Sequence, residues 1–221
     1  MATVPHDAER RKVVRDCVTL GAAVGASGLS FGAVSVAAGL STLQACALSL
    51  LGFSGGSQFA LVGVLGAGGS AAAGIASASL LGSRNLLYAV RLSTLLRVPR
   101  SRRVVAAQLT IDETTAMAIT APEGLRDTAF WTTGVTIFTT WNLATLLGAL
   151  GAAVFDTNTI GLDAAVGAAF LALLMPQIRD RRGARIAIGG GLLAAAAVPV
   201  TPAGVPVIVA ALAIVPAVLR R

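Results

Sequence analysis

Residues 53–60 read FSGGSQFA, and they interrupt an apolar run from about residue 43 to residue 67 that is otherwise long enough to cross a membrane. The glycines and serines of this stretch weaken a helix and leave backbone amides without partners. In hydrocarbon, such a break is tolerated only where it is buried in protein or lines a wet cavity. One interpretation of the stretch is a solute site at a broken helix, a recurring arrangement in transporters. The alternative is a patch of small residues that packs against another helix.

The composition is that of a membrane protein. Of the 221 residues, 55% are hydrophobic and 12% are charged, and the mean hydropathy is +0.80, values typical of the membrane class. The net charge of +7 comes mostly from four basic clusters between apolar runs, at 10–15, 97–103, 179–185 and 220–221. Clusters placed in this way indicate membrane topology rather than nucleic-acid binding. We therefore expect contact with a lipid bilayer and no nucleic-acid partner.

The apolar runs predict an all-α integral membrane protein with about six to seven transmembrane helices, since roughly 20 apolar residues span the ~30 Å core. Residues 1–16 are expected to form a cytoplasmic N-terminal head, and residues 17–221 a single polytopic transporter domain. The segment 104–122 is too short and too charged for a full span, and it is typical of an interfacial or re-entrant piece. The predicted membrane segments are 17–40, 43–67, 70–96, 128–154, 161–178 and two shorter spans within 186–219.

The basic clusters also constrain how often the chain crosses the membrane. If all four clusters are cytoplasmic, an even number of crossings separates each pair. Three apolar runs lie between the first two clusters, so the count becomes even when 43–67 is a re-entrant pair of half-helices. This arrangement gives six full crossings and places both termini in the cytoplasm. In the alternative, 43–67 and 104–122 both cross, and the cluster 97–103 lies outside.

Two further features stand out within the membrane segments. Gly21, Gly25, Gly28 and Gly32 fall on one helical face, where another helix can approach closely. Arg84 lies inside an apolar run, where a charge at mid-membrane costs about 2.5–3.5 kcal/mol on insertion scales. Arg84 is therefore expected to face protein or water, either at a functional site or as a clamp between helices.

Several ordered motifs carry a resemblance to a known family. They are FGAVSVAAGLS (31–41), SLLGFSGGSQFA (49–60), RNLLY (84–88), IDET (111–114), WNLATLLGALG (141–151), GLD (161–163) and AFLALL (169–174). From about residue 25 to residue 178, the chain resembles the AzlC family, the large subunits of bacterial branched-chain amino acid exporters. It departs from the family pattern at Ala26, Gly82 and Asn85, where proline, asparagine and histidine respectively are common.

The resemblance implies secondary export of valine, leucine, isoleucine or related neutral amino acids. It places the protein in the bacterial cytoplasmic membrane as a multi-pass protein, and it implies a small AzlD-like membrane subunit as partner. By position, the resemblance marks Gly55, Gln58, Phe59, Arg84, Tyr88, Asp112, Glu113, Thr145, Gly148, Gly151, Gly161 and Asp163.

These residues predict a substrate site and a charged group beside it. Free amides near Ser57, at the positive end of a helix, suit a substrate carboxylate, and the Gln58 carbonyl suits an ammonium. The predicted substrate-binding residues are Gly55, Gly56, Ser57, Gln58, Phe59, Tyr88 and Asn142. The residues predicted to form ion pairs or to carry a coupling ion are Arg84, Asp112, Glu113 and Asp163.

Other classes of function find less support in the residues. The only histidine is His6, outside every predicted span, and the sole lysine is Lys12, so a serine nucleophile lacks a base. No zinc ligand set is present, and Cys17 and Cys46 match no metal or redox spacing. We predict no enzymatic activity, no metal and no cofactor. Transport of another small zwitterionic or hydrophobic solute, and a scaffold subunit without transport, are the alternatives.

Overall fold

The computed structural model describes residues 7–154, 171, 175, 178–202 and 204–214. All regular secondary structure in this part of the chain is helical, which confirms the all-α prediction there. The α-helices are α1 (Asp7–Ala26), α2 (Gly28–Ala37), α3 (Thr42–Leu51), α4 (Gly56–Gly66), α5 (Ala71–Gly82), α6 (Arg84–Ser93), α7 (Arg103–Gln108), α8 (Asp112–Thr120), α9 (Arg126–Val154), α10 (Arg181–Ala197) and α11 (Val205–Ala211). Asp163 and Gly161 lie outside the described residues.

Two helical stretches among the described residues are long and apolar enough to cross a membrane. They cover Asp7–Ala37, which is interrupted at Ser27, and Glu123–Ala152. Residues 7–16, predicted as part of the head, are helical and continuous with the first apolar run. The number of crossings, and with it the total of six to seven transmembrane helices, stays a prediction.

The break in the run 43–67 lies within the stretch that predicted it. α3 ends at Leu51, α4 begins at Gly56, and the residues between them are not helical. Beyond the break, the two halves have different main neighbours, since α3 packs against α9 and α2 whereas α4 packs mainly against α5. The broken segment is therefore confirmed, and its re-entry through one face of the membrane stays a prediction.

Two other segments are divided in the same way. The run 70–96 forms α5 and α6, which are separated at Ser83. The segment 104–122 forms α7 and α8 with a short non-helical link before Asp112. The sequence did not predict the interruption at Ser27 or at Ser83, because neither position carries a Pro or a Gly pair.

α9 is the central helix and contacts α1, α2, α3 and α8. The predicted glycine face packs directly against its backbone, because a Cβ on Gly32 would lie 2.0 Å from the Thr145 carbonyl oxygen. α9 makes the reciprocal contact, since a Cβ on Gly148 would lie 1.9 Å from the Leu29 carbonyl oxygen. Only glycine permits so close an approach of two helix backbones.

Small polar side chains add hydrogen bonds across the same helix interfaces. The Thr140 hydroxyl donates to the Gly21 carbonyl over 3.2 Å. The Ser49 hydroxyl donates to the Thr145 hydroxyl over 3.1 Å, between α3 and α9. Such bonds stabilise helix packing in a medium where water offers no alternative partner. These bonds join α1 and α3 to α9, and with the glycine contacts of α2 they position the break between α3 and α4.

Candidate functional site

Gln58 holds the break between α3 and α4 together. Its side chain is 1% exposed. The Oε1 atom accepts a hydrogen bond from the Gly55 amide over 3.1 Å, and the Nε2 atom donates to the Leu48 carbonyl over 3.0 Å. Gly55 has a φ of +58°, a left-handed conformation that favours glycine. Both ends of the Gln58 amide are therefore engaged within the fold.

Gln108 supports the break from the other side. Its Nε2 atom donates to the Leu50 carbonyl over 2.8 Å and to the Leu51 carbonyl over 3.3 Å. The last carbonyls of a helix have no partner within that helix, so Gln108 satisfies the end of α3. The sequence did not reveal this role, because Gln108 is distant in the chain and belongs to no motif that predicts it.

A second set of polar contacts connects the break to α6. The Ser54 hydroxyl donates to the Ser57 hydroxyl over 2.9 Å. The Asn85 side-chain amide donates to Ser54 over 3.5 Å. Gly82 lies close to the same group, since a Cβ there would be 3.2 Å from the Ser57 hydroxyl. These contacts place the start of α6 beside the start of α4.

Asp112, at the start of α8, receives two side chains from α6. The Arg84 guanidinium lies 2.6 Å from one carboxylate oxygen, and the Tyr88 hydroxyl donates to the other over 2.6 Å. Arg84 and Tyr88 are one helical turn apart, so they reach the same group. A carboxylate is favoured in the first turn of a helix, whereas a cation at that end is disfavoured. Asp112 therefore compensates the charge of Arg84 at the start of α6.

Glu113 lies next to this ion pair without a cationic partner of its own. Among the described residues, no lysine or arginine lies within ion-pair distance of its carboxylate. Together, Arg84, Asp112 and Glu113 give this region one positive and two negative side chains. The region therefore has an acidic group that is available for a cationic ligand.

These groups surround a cavity of about 200 Å³. The charged residues contribute its polar part, and aromatic and aliphatic side chains contribute the rest, which is the usual composition of a small-molecule site. The lining residues are Val24, Ser27, Phe53, Ser54, Gly55, Gly56, Phe59, Arg84, Ile111, Asp112, Glu113, Ile137 and Trp141. We refer to this space as the central cavity.

Several helices begin at the central cavity. Its lining includes Ser27, immediately before α2, and the first residues of α4, α6 and α8, namely Gly56, Arg84 and Asp112. The first amides of a helix lack intrahelical partners, and the helix dipole makes that end positive. The cavity therefore combines hydrogen-bond donors suited to an anion with carboxylates suited to a cation.

The predicted substrate residues occupy different positions around this cavity. Gly55, Gly56 and Phe59 line it. Ser57 and Gln58 do not line it, and they stabilise the break instead. These positions differ from the prediction that Gln58 offers its carbonyl to a ligand, because that oxygen already accepts from a backbone amide.

The remaining predicted residues are also located, apart from Asp163. Arg84, Asp112 and Glu113 line the cavity together. Tyr88 contacts it indirectly, through its hydrogen bond to Asp112. Asn142 does not line it, and its Nδ2 atom donates to the Phe138 carbonyl one turn back in α9.

The sequence analysis missed the part of the wall that α1 and α9 supply. Val24, Ser27, Ile137 and Trp141 line the cavity, although the first two lie in a segment that predicted only helix packing. Trp141 belongs to the motif WNLATLLGALG, which was a detectable signal. Nothing in the sequence shows that Ile137 and Trp141 face the same space as Arg84.

No group of three or more His, Cys, Asp or Glu side chains in the described part of the chain is arranged to hold a metal ion. The polar groups of the cavity are instead two carboxylates, one guanidinium, two serine hydroxyls and backbone amides. Such groups suit an organic ion that is held by hydrogen bonds and charge.

The described residues form broken apolar helices around a cavity with both charges, an arrangement that suits a membrane protein of the transport-related class. The family model described as AzlC protein matches residues 19–155, and the chain belongs to the AzlC family. Proteins of this family function with a partner subunit. No curated protein and no solved structure matches the chain significantly.

Proposed function

We propose that the chain is the large subunit of a secondary transporter that exports valine, leucine, isoleucine or a related neutral amino acid. The observation that carries this proposal is the central cavity, where a broken helix, an ion pair and an aromatic wall meet. Its volume of about 200 Å³ suits a small solute rather than a peptide. Family membership supports a role in transport.

The carboxylate of the substrate would bind near the start of α4. Gly55 and Gly56 line the cavity there. The Gly55 amide already donates to Gln58, whereas the amides that follow it in the first turn are without intrahelical partners. The positive end of the helix adds to this attraction. Arg84 strengthens it, because its Nε atom is buried without a hydrogen-bond partner among the described residues.

The ammonium of the substrate would bind Glu113. Asp112 is already engaged by Arg84 and Tyr88, whereas Glu113 has no cation beside it in the described part of the chain. The apolar side chain would then contact Phe53, Phe59 and other apolar lining residues. A site that offers both charges and an apolar wall favours a zwitterion with a hydrocarbon side chain over a simple anion or cation.

We propose a multi-pass arrangement in the bacterial cytoplasmic membrane, with both termini in the cytoplasm and a small AzlD-like subunit as partner. α6 presents three apolar side chains outward. Leu86, Leu87 and Val90 are 70%, 72% and 68% exposed. In water such a face would be unfavourable, so it supports contact with lipid or with the partner subunit. The opposite side of α6 carries Arg84 and Tyr88 towards Asp112.

The acidic residues are candidates for coupling export to protons. Intramembrane carboxylates often have this role, and Asp112 and Glu113 both line the cavity. Efflux across an imposed pH gradient should lose part of its pH dependence in Asp112→Asn, Glu113→Gln or Asp163→Asn. Unchanged pH dependence in all three variants would remove proton coupling through these carboxylates.

Efflux from cells loaded with dipeptides of valine or leucine tests the proposal. The chain is expressed alone, with a small AzlD-like subunit, and with that subunit in an Arg84→Gln variant. We expect export that requires the subunit and that falls at least about tenfold in the variant, since a charge-assisted contact contributes about 1.5–3 kcal/mol. Arg91→Gln is the matched control, because Arg91 is on the same helix, exposed and away from the cavity lining.

The results for the wild type and for the Arg91→Gln control distinguish the proposed function from its alternatives. A membrane-inserted complex that exports no amino acid would favour the scaffold function or another solute. An equal loss of export in Arg84→Gln and Arg91→Gln would show that export depends on the overall charge of α6 rather than on the position of Arg84 in the cavity.

A further inference from the structure

Trp141 occupies a fixed position in the apolar wall of the central cavity. It is 4% exposed and lines the cavity one turn after Ile137. Phe31 stacks against its ring, with centroids 5.9 Å apart and an interplanar angle of 27°. Phe59 contacts it edge-on, with centroids 6.2 Å apart and an angle of 88°. Both geometries are favourable for aromatic pairs, so the indole is held on two sides.

The backbone of Trp141 is held as well. A Cβ on Gly28 would lie 2.3 Å from the Trp141 carbonyl oxygen, so α2 contacts α9 directly at this residue. Packed side chains in close-packed interiors respond little to a ligand. The indole therefore forms a rigid boundary of the cavity rather than an adaptable one.

The polar atom of Trp141 is not explained by packing. Its indole N–H is buried and has no hydrogen-bond partner among the described residues. Buried donors are nearly always paired, because an unpaired one costs about 1–3 kcal/mol. A phenylalanine would keep the aromatic contacts with Phe31 and Phe59 without this cost. Compared with phenylalanine, tryptophan adds ring volume to the cavity wall at this position.

We propose that Trp141 is a specificity-determining residue that sets the largest side chain the central cavity accepts. This inference rests on the proposed function, since it assumes that an amino acid occupies the cavity. The indole lines the cavity together with Phe59 and Ile137, and a smaller residue at position 141 leaves space for a longer or aromatic substrate side chain.

The size of the expected change in specificity follows from how strongly apolar pockets discriminate between substrates. One methylene in such a pocket changes selectivity by about 10-fold to 200-fold. Trp141→Phe removes part of the ring system, and Trp141→Leu removes more. We expect the ratio of phenylalanine export to valine export to rise at least about tenfold in Trp141→Leu, with a smaller rise in Trp141→Phe.

Trp131→Phe is the matched control. Trp131 lies on the same helix, contacts Phe130 edge-on with centroids 5.4 Å apart, and does not line the cavity. Efflux of valine, leucine and phenylalanine is measured from dipeptide-loaded cells with the AzlD-like subunit present. Membrane levels and thermal stability of each variant are measured alongside, and Trp141→Phe provides a conservative variant if Trp141→Leu folds poorly.

The outcomes distinguish this inference from the proposed function. Wild-type protein that exports none of the three amino acids contradicts the proposed function. If the wild-type and Trp131→Phe proteins export valine and the Trp141 variants keep the same preference among the three amino acids, only the role of Trp141 is contradicted. A raised phenylalanine-to-valine ratio confined to the Trp141 variants supports it.

A binding measurement adds a readout independent of transport. The chain has two tryptophans, so Trp131→Phe leaves Trp141 as the single reporter and Trp141→Phe leaves Trp131. Leucine titrated into the purified complex, assembled with an AzlD-like subunit that contains no tryptophan, should change the fluorescence of Trp131→Phe and leave that of Trp141→Phe unchanged. A change that persists only with Trp131 would place the ligand elsewhere and overturn the inference.

Discussion

The Arg84 guanidinium lies 2.6 Å from the Asp112 carboxylate, and this ion pair joins the first residue of α6 to the first residue of α8. Both side chains line the central cavity and are more than a third exposed, at 36% and 38%. An exposed ion pair contributes little to stability in water. The two groups are therefore better placed to act on a ligand than to hold the fold together.

The variant Asp112→Asn should separate the contribution of this ion pair to export from its contribution to stability. The asparagine keeps an oxygen that can accept from Tyr88, but it leaves the Arg84 charge uncompensated beside a helix N-terminus. We expect export to fall at least about tenfold, together with a loss of stability, since the Arg84 charge then lacks its partner. Efflux and thermal unfolding of the purified protein measure the two effects.

The double variant Arg84→Gln with Asp112→Asn provides the comparison. It removes both charges, so it should recover stability relative to Asp112→Asn without recovering export. Asp127→Asn is the control, because Asp127 is exposed and accepts only a backbone amide at 3.3 Å. Recovery of export in the double variant would assign the pair a structural role alone.

Tyr88→Phe removes one hydrogen bond to the same carboxylate. The Tyr88 hydroxyl donates to Asp112 over 2.6 Å, and a bond to a charged group contributes about 1.5–3 kcal/mol. We expect weaker export, because Asp112 then loses one of its two restraints. The apparent affinity for the substrate should fall, whereas the amount of protein in the membrane should change less. An unchanged concentration dependence of efflux would show that Arg84 alone positions Asp112.

The break between α3 and α4 was predictable from sequence because it depends on local chemistry. Gly55 adopts a φ of +58°, and Ser54 and Ser57 bond to each other across three residues. The glycine face of α1 and α2 was predictable for a similar reason, since its spacing follows directly from the helical period. Both features are properties of neighbouring residues in one segment.

The use of Gln58 was not predictable, because its two partners are known only once the chain has folded. The same amide suits a ligand or the Leu48 carbonyl, and the sequence does not distinguish them. Trp141 and Gln108 illustrate the same limit, since each acts on residues far away in the chain. Tertiary partners, rather than local propensity, decide such roles.

Gln58→Met should destabilise the protein through the break. Methionine has a similar shape but leaves the Gly55 amide unpaired. It also removes one of the two hydrogen bonds that the Leu48 carbonyl accepts, since the Gly52 amide donates the other over 2.9 Å. An unsatisfied buried amide costs about 1–3 kcal/mol and a lost hydrogen bond about 0.5–1.5 kcal/mol, so we expect a loss of about 2–4 kcal/mol in the free energy of unfolding. Thermal or denaturant unfolding in detergent provides the measurement.

Gln44→Met is a matched control for this change. Gln44 makes an equivalent bond at the start of α3, where its Oε1 atom accepts from the Ser41 amide over 2.8 Å. Gln44 and Ser41 are both exposed, so this variant should lose about 1 kcal/mol or less. Equal losses in the two variants would show that the break does not depend on buried hydrogen bonds.

Two glycines of α9, three residues apart, should respond with opposite sign to the same substitution. Gly148→Ala would place a methyl group 1.9 Å from the Leu29 carbonyl oxygen, and because that atom is backbone, the helices must separate. Among the described residues, nothing lies within 4 Å of a Cβ added to Gly151, so Gly151→Ala gains about 0.5–1 kcal/mol from helix propensity. We expect Gly148→Ala to lose about 1–3 kcal/mol and to lower export, since α9 carries Trp141 and Ile137 into the cavity wall. Unfolding of the purified variants measures the difference, and a stability of Gly148→Ala equal to that of Gly151→Ala would contradict direct backbone contact between α2 and α9.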